Sequence, residues 1–214
     1  MYNSKNVIIL ILLLILLTGT NLMAQVQPKE PNKNSIEHFK NAMDTIRSAN
    51  EQNADQRQKI AIDLFSKSIS ADSKNVPAYL WKSMLLLNSK KYKDALATIT
   101  TGISASKANA NVLLPQMYMN MGGTYLLMND KKKSKSAYYD AIKAYKEVLK
   151  ESKCNLDAIA NIAIIYAIVE EKKKAIQFID NNKTCFKELK IDDFKKHINE
   201  FDINKYLEEM KKKK

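Results

Sequence analysis

Small residues recur in this chain at a spacing that a single pair of helices cannot explain. Ala61 lies in the helical run IAIDLFSKSIS, and Ala95 lies 34 residues later in a similar run. The stretch from Asn75 to Gly102 reads as two antiparallel helices joined by a short Lys-rich turn. Small side chains sit where those helices must approach: Ser83 in the first, Ala95 and Gly102 in the second. A unit of this length, repeated, is the signature of helix hairpins stacked so that each buries the apolar face of its neighbour. Four glycines and four prolines in 214 residues leave little material for hairpin turns between strands. The expected fold class is therefore all-α, a solenoid of about four stacked antiparallel hairpins closed by C-terminal capping helices.

The N-terminus is read apart from the fold. Lys5 precedes the unbroken apolar run VIILILLLILL from Val7 to Leu17, which is eleven residues long. Spanning a bilayer takes roughly 20 residues. Leu22-Met23-Ala24 before Gln25 makes a cleavage site ending on small Ala24, so residues 1–24 read as a signal peptide cut after Ala24. An uncleaved anchor is the competing reading. The two cysteines, Cys154 and Cys185, lie far from this site, which excludes a lipid-modified N-terminal cysteine. The expected location is periplasmic or secreted. The formal net charge is +12, which by itself raises nucleic acid as a partner. Export argues against that and towards an anionic envelope component or an acidic protein face. A Lys-rich solvated surface is the plain alternative.

Residues 25–34 contain two prolines without apolar periodicity and read as a flexible leader. The repeat domain then covers residues 35–185, and capping helices with a Lys-rich tail cover 186–214. Asn34 with Glu37 reads as the start of a first helix over Ser35–Asn53. Further helices are expected over Asp55–Ala71, Val76–Asn88, Tyr92–Ser106, Val112–Asn129, Lys131–Ser152, Asn155–Glu170 and Lys172–Asn182. Pro77 and Pro115 fall in first turns, where a missing amide hydrogen costs little. Asp192 and Asp202 are the candidate caps of two shorter helices, Ile191–Glu200 and Asp202–Lys212.

Met121, Gly122 and Tyr125 on one helix, with Ser134, Tyr138 and Ala141 on the next, set a large/small/aromatic register. The register recurs at Ser83, Leu86, Ala95, Ile99 and Gly102, and again at Ile162, Ala163, Tyr166, Ala175 and Ile179. The first hairpin follows it through Ala49, Ala61, Phe65 and Ser68. This pattern resembles the tetratricopeptide repeat family over residues 42–182. Ala95 to Ser134 is 39 residues and Ser134 to Ala175 is 41, so two units are longer than the first. The family's proline between repeats is also missing.

The resemblance implies a right-handed solenoid whose first helices line a concave groove for a protein or peptide. By register the groove positions are Pro77, Leu80, Met84 and Leu87, then Gln116, Met119, Gly123 and Leu126, then Asp157, Ala160, Ile164 and Ala167. The lining is apolar and Met-containing, without the lysine and asparagine set that clamps a C-terminal carboxylate. An apolar partner segment would suit it, as would the chain's own C-terminal helices through Phe201, Tyr206 and Leu207. Lys90, Lys91 and Lys93, then Lys131, Lys132 and Lys133, then Lys172, Lys173 and Lys174 fall at the turns between paired helices. Stacking would align them as a basic ridge for an anionic partner, against the simpler reading of solvated turn lysines.

Cys154 opens one helix and Cys185 follows its antiparallel partner, so a bridge between them is feasible in an exported chain, with two unpaired thiols as the alternative. His38 and His197 are isolated, Asp192-Asp193 reads as a helix start, and the chain has no glycine-rich phosphate loop. These residues point away from an enzyme and away from any metal, cofactor or small-molecule substrate. The reading is a non-catalytic protein-interaction scaffold, with binding of an envelope polymer through the lysines as its alternative.

Overall fold

The computed structural model describes residues 32–50, 52–108, 112–186 and 191–212. The expected signal peptide and all of the leader before Asn32 lie outside the described residues. Every regular element among the described residues is helical. In order they are α1 (Lys33–Arg47), α2 (Ala54–Ala71), α3 (Val76–Asn88), α4 (Tyr92–Ala108), α5 (Leu114–Leu127), α6 (Lys131–Glu151), α7 (Leu156–Ile168) and α8 (Lys172–Asn181). A 3-10 turn (Lys183–Cys185), α9 (Ile191–Glu200) and α10 (Ile203–Lys212) follow. None of the described helices is long and apolar enough to cross a membrane. The described residues fall into two compact units, divided within α6 between Ala137 and Tyr138.

In the first unit α1 packs on α2, α2 on α3, α3 on α4 and α4 on α5, while α3 also meets α5. The first hairpin closes on Ala42, Ala61 and Phe65, all fully buried, with Ala78 and Leu85 from α3 against them. Phe39 and Phe65 meet with ring centroids 5.5 Å apart. Fully burying a side chain the size of Phe65 is worth about 1.5–3 kcal/mol. The small residue of α1 is Ala42, not Ala49, because α1 ends at Arg47 rather than near Asn53. Polar groups past Arg47 take the backbone elsewhere. Ser48 Oγ donates to the carbonyls of Asp44 and Thr45, and Asn50 Oδ1 accepts from the amides of Gln52 and Asn53. Such local bonds compete with helix propagation. The start also moves: Asn32, not Asn34, caps α1 by accepting from the amide of Asn34.

Gly102 shows why α4 needs a residue without a side chain at one crossing. A Cβ there would lie 2.8 Å from Tyr79 Cβ and 2.7 Å from Met117 Cε. The glycine thus lets α4 approach α3 and α5 at one point, and Met117 is fully buried against it.

The second unit is built around α7, which is buried on most sides by Ala158, Ile159, Ile162, Ala163 and Ile165. Asn155 caps it, its Oδ1 accepting from the amide of Ala158 at 2.9 Å. Asn75 plays the same part for α3, accepting from Ala78 at 3.3 Å. α8 packs antiparallel to α7 through Ala175 and Ile179. Cys154 and Cys185 are bonded across the open end of this hairpin, with Cα atoms 5.0 Å apart. α9 packs on both α7 and α8. Asp202 caps α10, accepting from the amides of Asn204 and Lys205, but Asp192 lies inside the first turn of α9 rather than before it.

Candidate functional site: helix faces and hairpin turns

The three turns that join α3 to α4, α5 to α6 and α7 to α8 share one backbone solution. Lys90, Asn129 and Glu170 each take positive φ, at 58°, 62° and 66°. Their amides donate to Leu87, Leu126 and Ala167, and the next amides, of Lys91, Asp130 and Glu171, donate to Leu86, Tyr125 and Tyr166. This paired 5→2 and 6→1 bonding is the Schellman motif, normally closed by glycine. Here it recurs three times without one. The spacings between the three residues, 39 and 41, are those of the small-residue register.

These turns set the position of the lysine clusters. Lys93 is exposed in the first turn of α4, as are Lys131 and Lys132 in α6 and Lys173 in α8. Their neighbours are engaged. Lys133 Nζ lies 3.0 Å from Asp130 Oδ2 and 5.5 Å from the centroid of the Tyr125 ring. That hydrogen-bonded turn, led by the Lys133 amide, holds the Asp130 carboxyl below its usual range. Lys174 Nζ donates to Glu171 Oε2 at 3.1 Å, and Tyr139 Oη donates to Glu171 Oε1 at 2.6 Å. That hydrogen bond is the main reason the Tyr139 phenol is pushed up to about 12. Lys172 Nζ donates to the carbonyl of Asn199 at 2.7 Å, reaching the last turn of α9.

The groove-register positions divide by burial. Leu80 and Met119 in the first unit, and Ile164 and Ala167 in the second, are buried and hold their helices in place. Pro77, Met84, Leu87, Gln116, Gly123 and Leu126 remain half-buried in the first unit, and Asp157 and Ala160 in the second. α3 and α5 are neighbours, so Met84, Leu87 and Leu126 give the first unit an apolar, partly accessible side. Burial pushes the Asp157 carboxyl up, against the α7 N-terminus, whose positive end favours the anion.

In the second unit α9 packs on α7 and α8 and shares an apolar cluster with two of the register positions of α7. Ile198 of α9 is 4 % exposed and joins Ile164, Ala167, Ile159 and Ile179, with Phe194 and Phe201 against them. Lys195 pairs with Asp180 of α8. Between the α7–α8 turn and the α9–α10 junction a cleft of about 710 Å³ stays open, with Ala167, Phe201 and Ile203 inside and Glu170, Lys173 and Glu200 among its charged lining. His197 is turned onto its own helix, Nδ1 lying 2.6 Å from the carbonyl of Asp193. Sequence reasoning missed the Tyr139–Glu171 and Lys195–Asp180 contacts, since neither pair is at helical spacing.

Residues 115–148, which comprise nearly all of α5 and most of α6, match the tetratricopeptide repeat family. No curated protein matches the chain. Among solved structures it is similar to one titled "Crystal structure of MamA protein". The identity is 14 % and the TM-score 0.45, over 85 % of this chain and 93 % of that one.

Proposed function

On the footing that this chain is a tetratricopeptide-repeat protein, a family of protein-interaction scaffolds, we propose that it is an exported, non-catalytic scaffold. It holds a protein or peptide of the cell envelope against the first helices of its hairpins. Met84, Leu87 and Leu126 carry the reading: they sit at groove register on neighbouring helices and are apolar yet only half-buried. A half-exposed apolar stripe with an adaptable methionine suits an apolar partner segment. The export part rests on Lys5, the run Val7–Leu17 and Leu22-Met23-Ala24. A Met84→Glu, Leu126→Glu variant that folds as the wild type should lose the partner. Retention of the partner by that variant would remove the groove from the account.

One observation favours a second reading, an anionic envelope component held by the lysines. Lys131, Lys132 and Lys133 open α6, and Lys172, Lys173 and Lys174 open α8. Cations in a first turn oppose the helix dipole by about 0.3–1 kcal/mol each, a cost that a bound anion would offset. Lys131→Glu with Lys132→Glu should then abolish binding to anionic envelope polymer; unchanged binding would end this reading.

A further inference from the structure

The second unit narrows the kind of partner that this chain can take, an inference that rests on the groove reading. Four facts bear on it. First, α9 packs on α7 and α8, and its Ile198 shares one apolar cluster with Ile164 and Ala167, two positions of groove register. Second, its contact residues have a simple order: Ile191, Phe194, Ile198 and Phe201 fall at i, i+3, i+7 and i+10, which is one stripe of a helix. Third, two polar contacts fix its direction. Lys195 pairs with Asp180, and Lys172 donates to the carbonyl of Asn199, one of the carbonyls that a helix end leaves without an internal partner. Fourth, the seat is incomplete. Only Ile198 of α9 is fully buried, and an open surface cleft of about 710 Å³ lies beside Ala167, Phe201 and Ile203.

A ten-residue helix is marginal in water by itself, so the helical form of α9 derives from its seat. A seat that stabilises one short amphipathic helix will stabilise another with the same anchors. We propose that the α7–α8 face is a helix-binding surface with α9 as its resident occupant. Its partner is an amphipathic helix with large apolar residues at i, i+3, i+7 and i+10 and a basic residue at i+4. The partner competes with α9, so the contact is autoinhibitory. Charge complementarity selects the direction: the basic residue meets Asp180 and the carbonyl end of the helix meets Lys172.

The test uses the full chain and, as probe, a fluorescein-labelled peptide of residues 191–203, read by fluorescence anisotropy. Ile198→Asp should release α9 and bind the peptide at least tenfold more tightly than the wild type. A peptide carrying the same substitution should bind neither protein. Circular dichroism and a thiol titration show whether the variant keeps its helices and its disulfide. Lys195→Glu offers a milder release from the surface, expected to tighten peptide binding several-fold. Adding Asp180→Lys should return binding to the wild-type level or below, because α9 re-seats and the introduced lysine repels the lysine of the peptide. Equal peptide binding by wild type, Ile198→Asp and Lys195→Glu would overturn the proposal. The titration involves neither Met84 nor Leu126, so it and the groove substitutions fail separately.

Discussion

Ser35 and Ser68 exchange hydrogen bonds across the mouth of the first hairpin. Each hydroxyl donates to the other's carbonyl at 2.8 Å, and the two Oγ atoms lie 3.0 Å apart. Asn75, the cap of α3, adds its Nδ2 to both hydroxyls at 3.0 and 2.9 Å. Both serines are fully buried. One network thus fixes the start of α1, the end of α2 and the start of α3. Ser68→Ala should cost about 1–3 kcal/mol, since buried donors and carbonyls lose their partners. The double variant Ser35→Ala, Ser68→Ala should cost less than the sum of the single ones. Urea unfolding measures both, and additivity would contradict the shared network.

Turn conformation makes a prediction of opposite sign. Lys90 and Glu170 hold positive φ, which costs a residue with Cβ about 1–2 kcal/mol. Replacement by glycine removes most of that strain and loses part of the gain to chain entropy. Lys90→Gly and Glu170→Gly should each stabilise by about 0.5–1 kcal/mol. Glu170→Ala, which keeps Cβ, should not stabilise. Thermal melts of the three variants separate these outcomes.

Gly102→Ala puts helix propensity against packing. Alanine is better than glycine in a helix by about 1 kcal/mol, yet its Cβ would meet Tyr79 Cβ at 2.8 Å. Met117 can swing its methyl aside, but Tyr79 Cβ cannot move without its backbone. Overpacking of this kind costs about 1–3 kcal/mol, so the net effect should be destabilising. A raised melting temperature would show that α4 can shift away from α3.

Linking Cys154 to Cys185, 31 residues apart, should stabilise by about 3–4 kcal/mol in the chain-entropy account. Native protein should show no reactive thiol. Reduction should lower its unfolding midpoint, and Cys154→Ser with Cys185→Ser should reproduce that loss. Two titratable thiols in native protein would contradict the bond.

Alkali should unfold the second unit through its phenols. Burial raises Tyr138, Tyr145 and Tyr206, and the bond to Glu171 takes Tyr139 up to about 12. Each group is raised in the folded state and neutral when protonated. Their contribution is therefore complete below about pH 10, the ordinary phenol value, and is lost as pH rises past it. Phenolate absorbance should appear together with loss of helical signal. Tyr139→Phe should leave the protein less stable at neutral pH and less sensitive to alkali between about 10 and 12.

Much of this architecture is legible in the sequence, for reasons that particular residues show. The bounds of α3 and α9 follow directly from their apolar runs and flanking polar residues. The small-residue register finds Ala61, Ala95, Ser134 and Ala175, all buried. Ala49 escapes the register because Ser48 and Asn50 turn the backbone first, a contest between side-chain and helical bonds that periodicity does not record. The Schellman turns carry lysine, asparagine and glutamate where glycine would have announced them. Burial at Leu80, Met119, Ile164 and Ala167 is likewise hidden, because register assigns a face without saying what covers it. Over α7 that cover is α9. The sequence offers the C-terminal helices as one possible cover, and the apolar cluster of Ile198 with the contacts of Lys195 to Asp180 and Lys172 to Asn199 fix α9 beside α7 and α8.

The most direct measurement is retention of partner from an envelope extract by the protein across a salt series. The groove account predicts a bound protein that stays at roughly 1 M salt, where the Debye length is about 3 Å, and that is lost with Met84→Glu, Leu126→Glu at every salt concentration. Material that washes off with salt and still binds the double variant would contradict it.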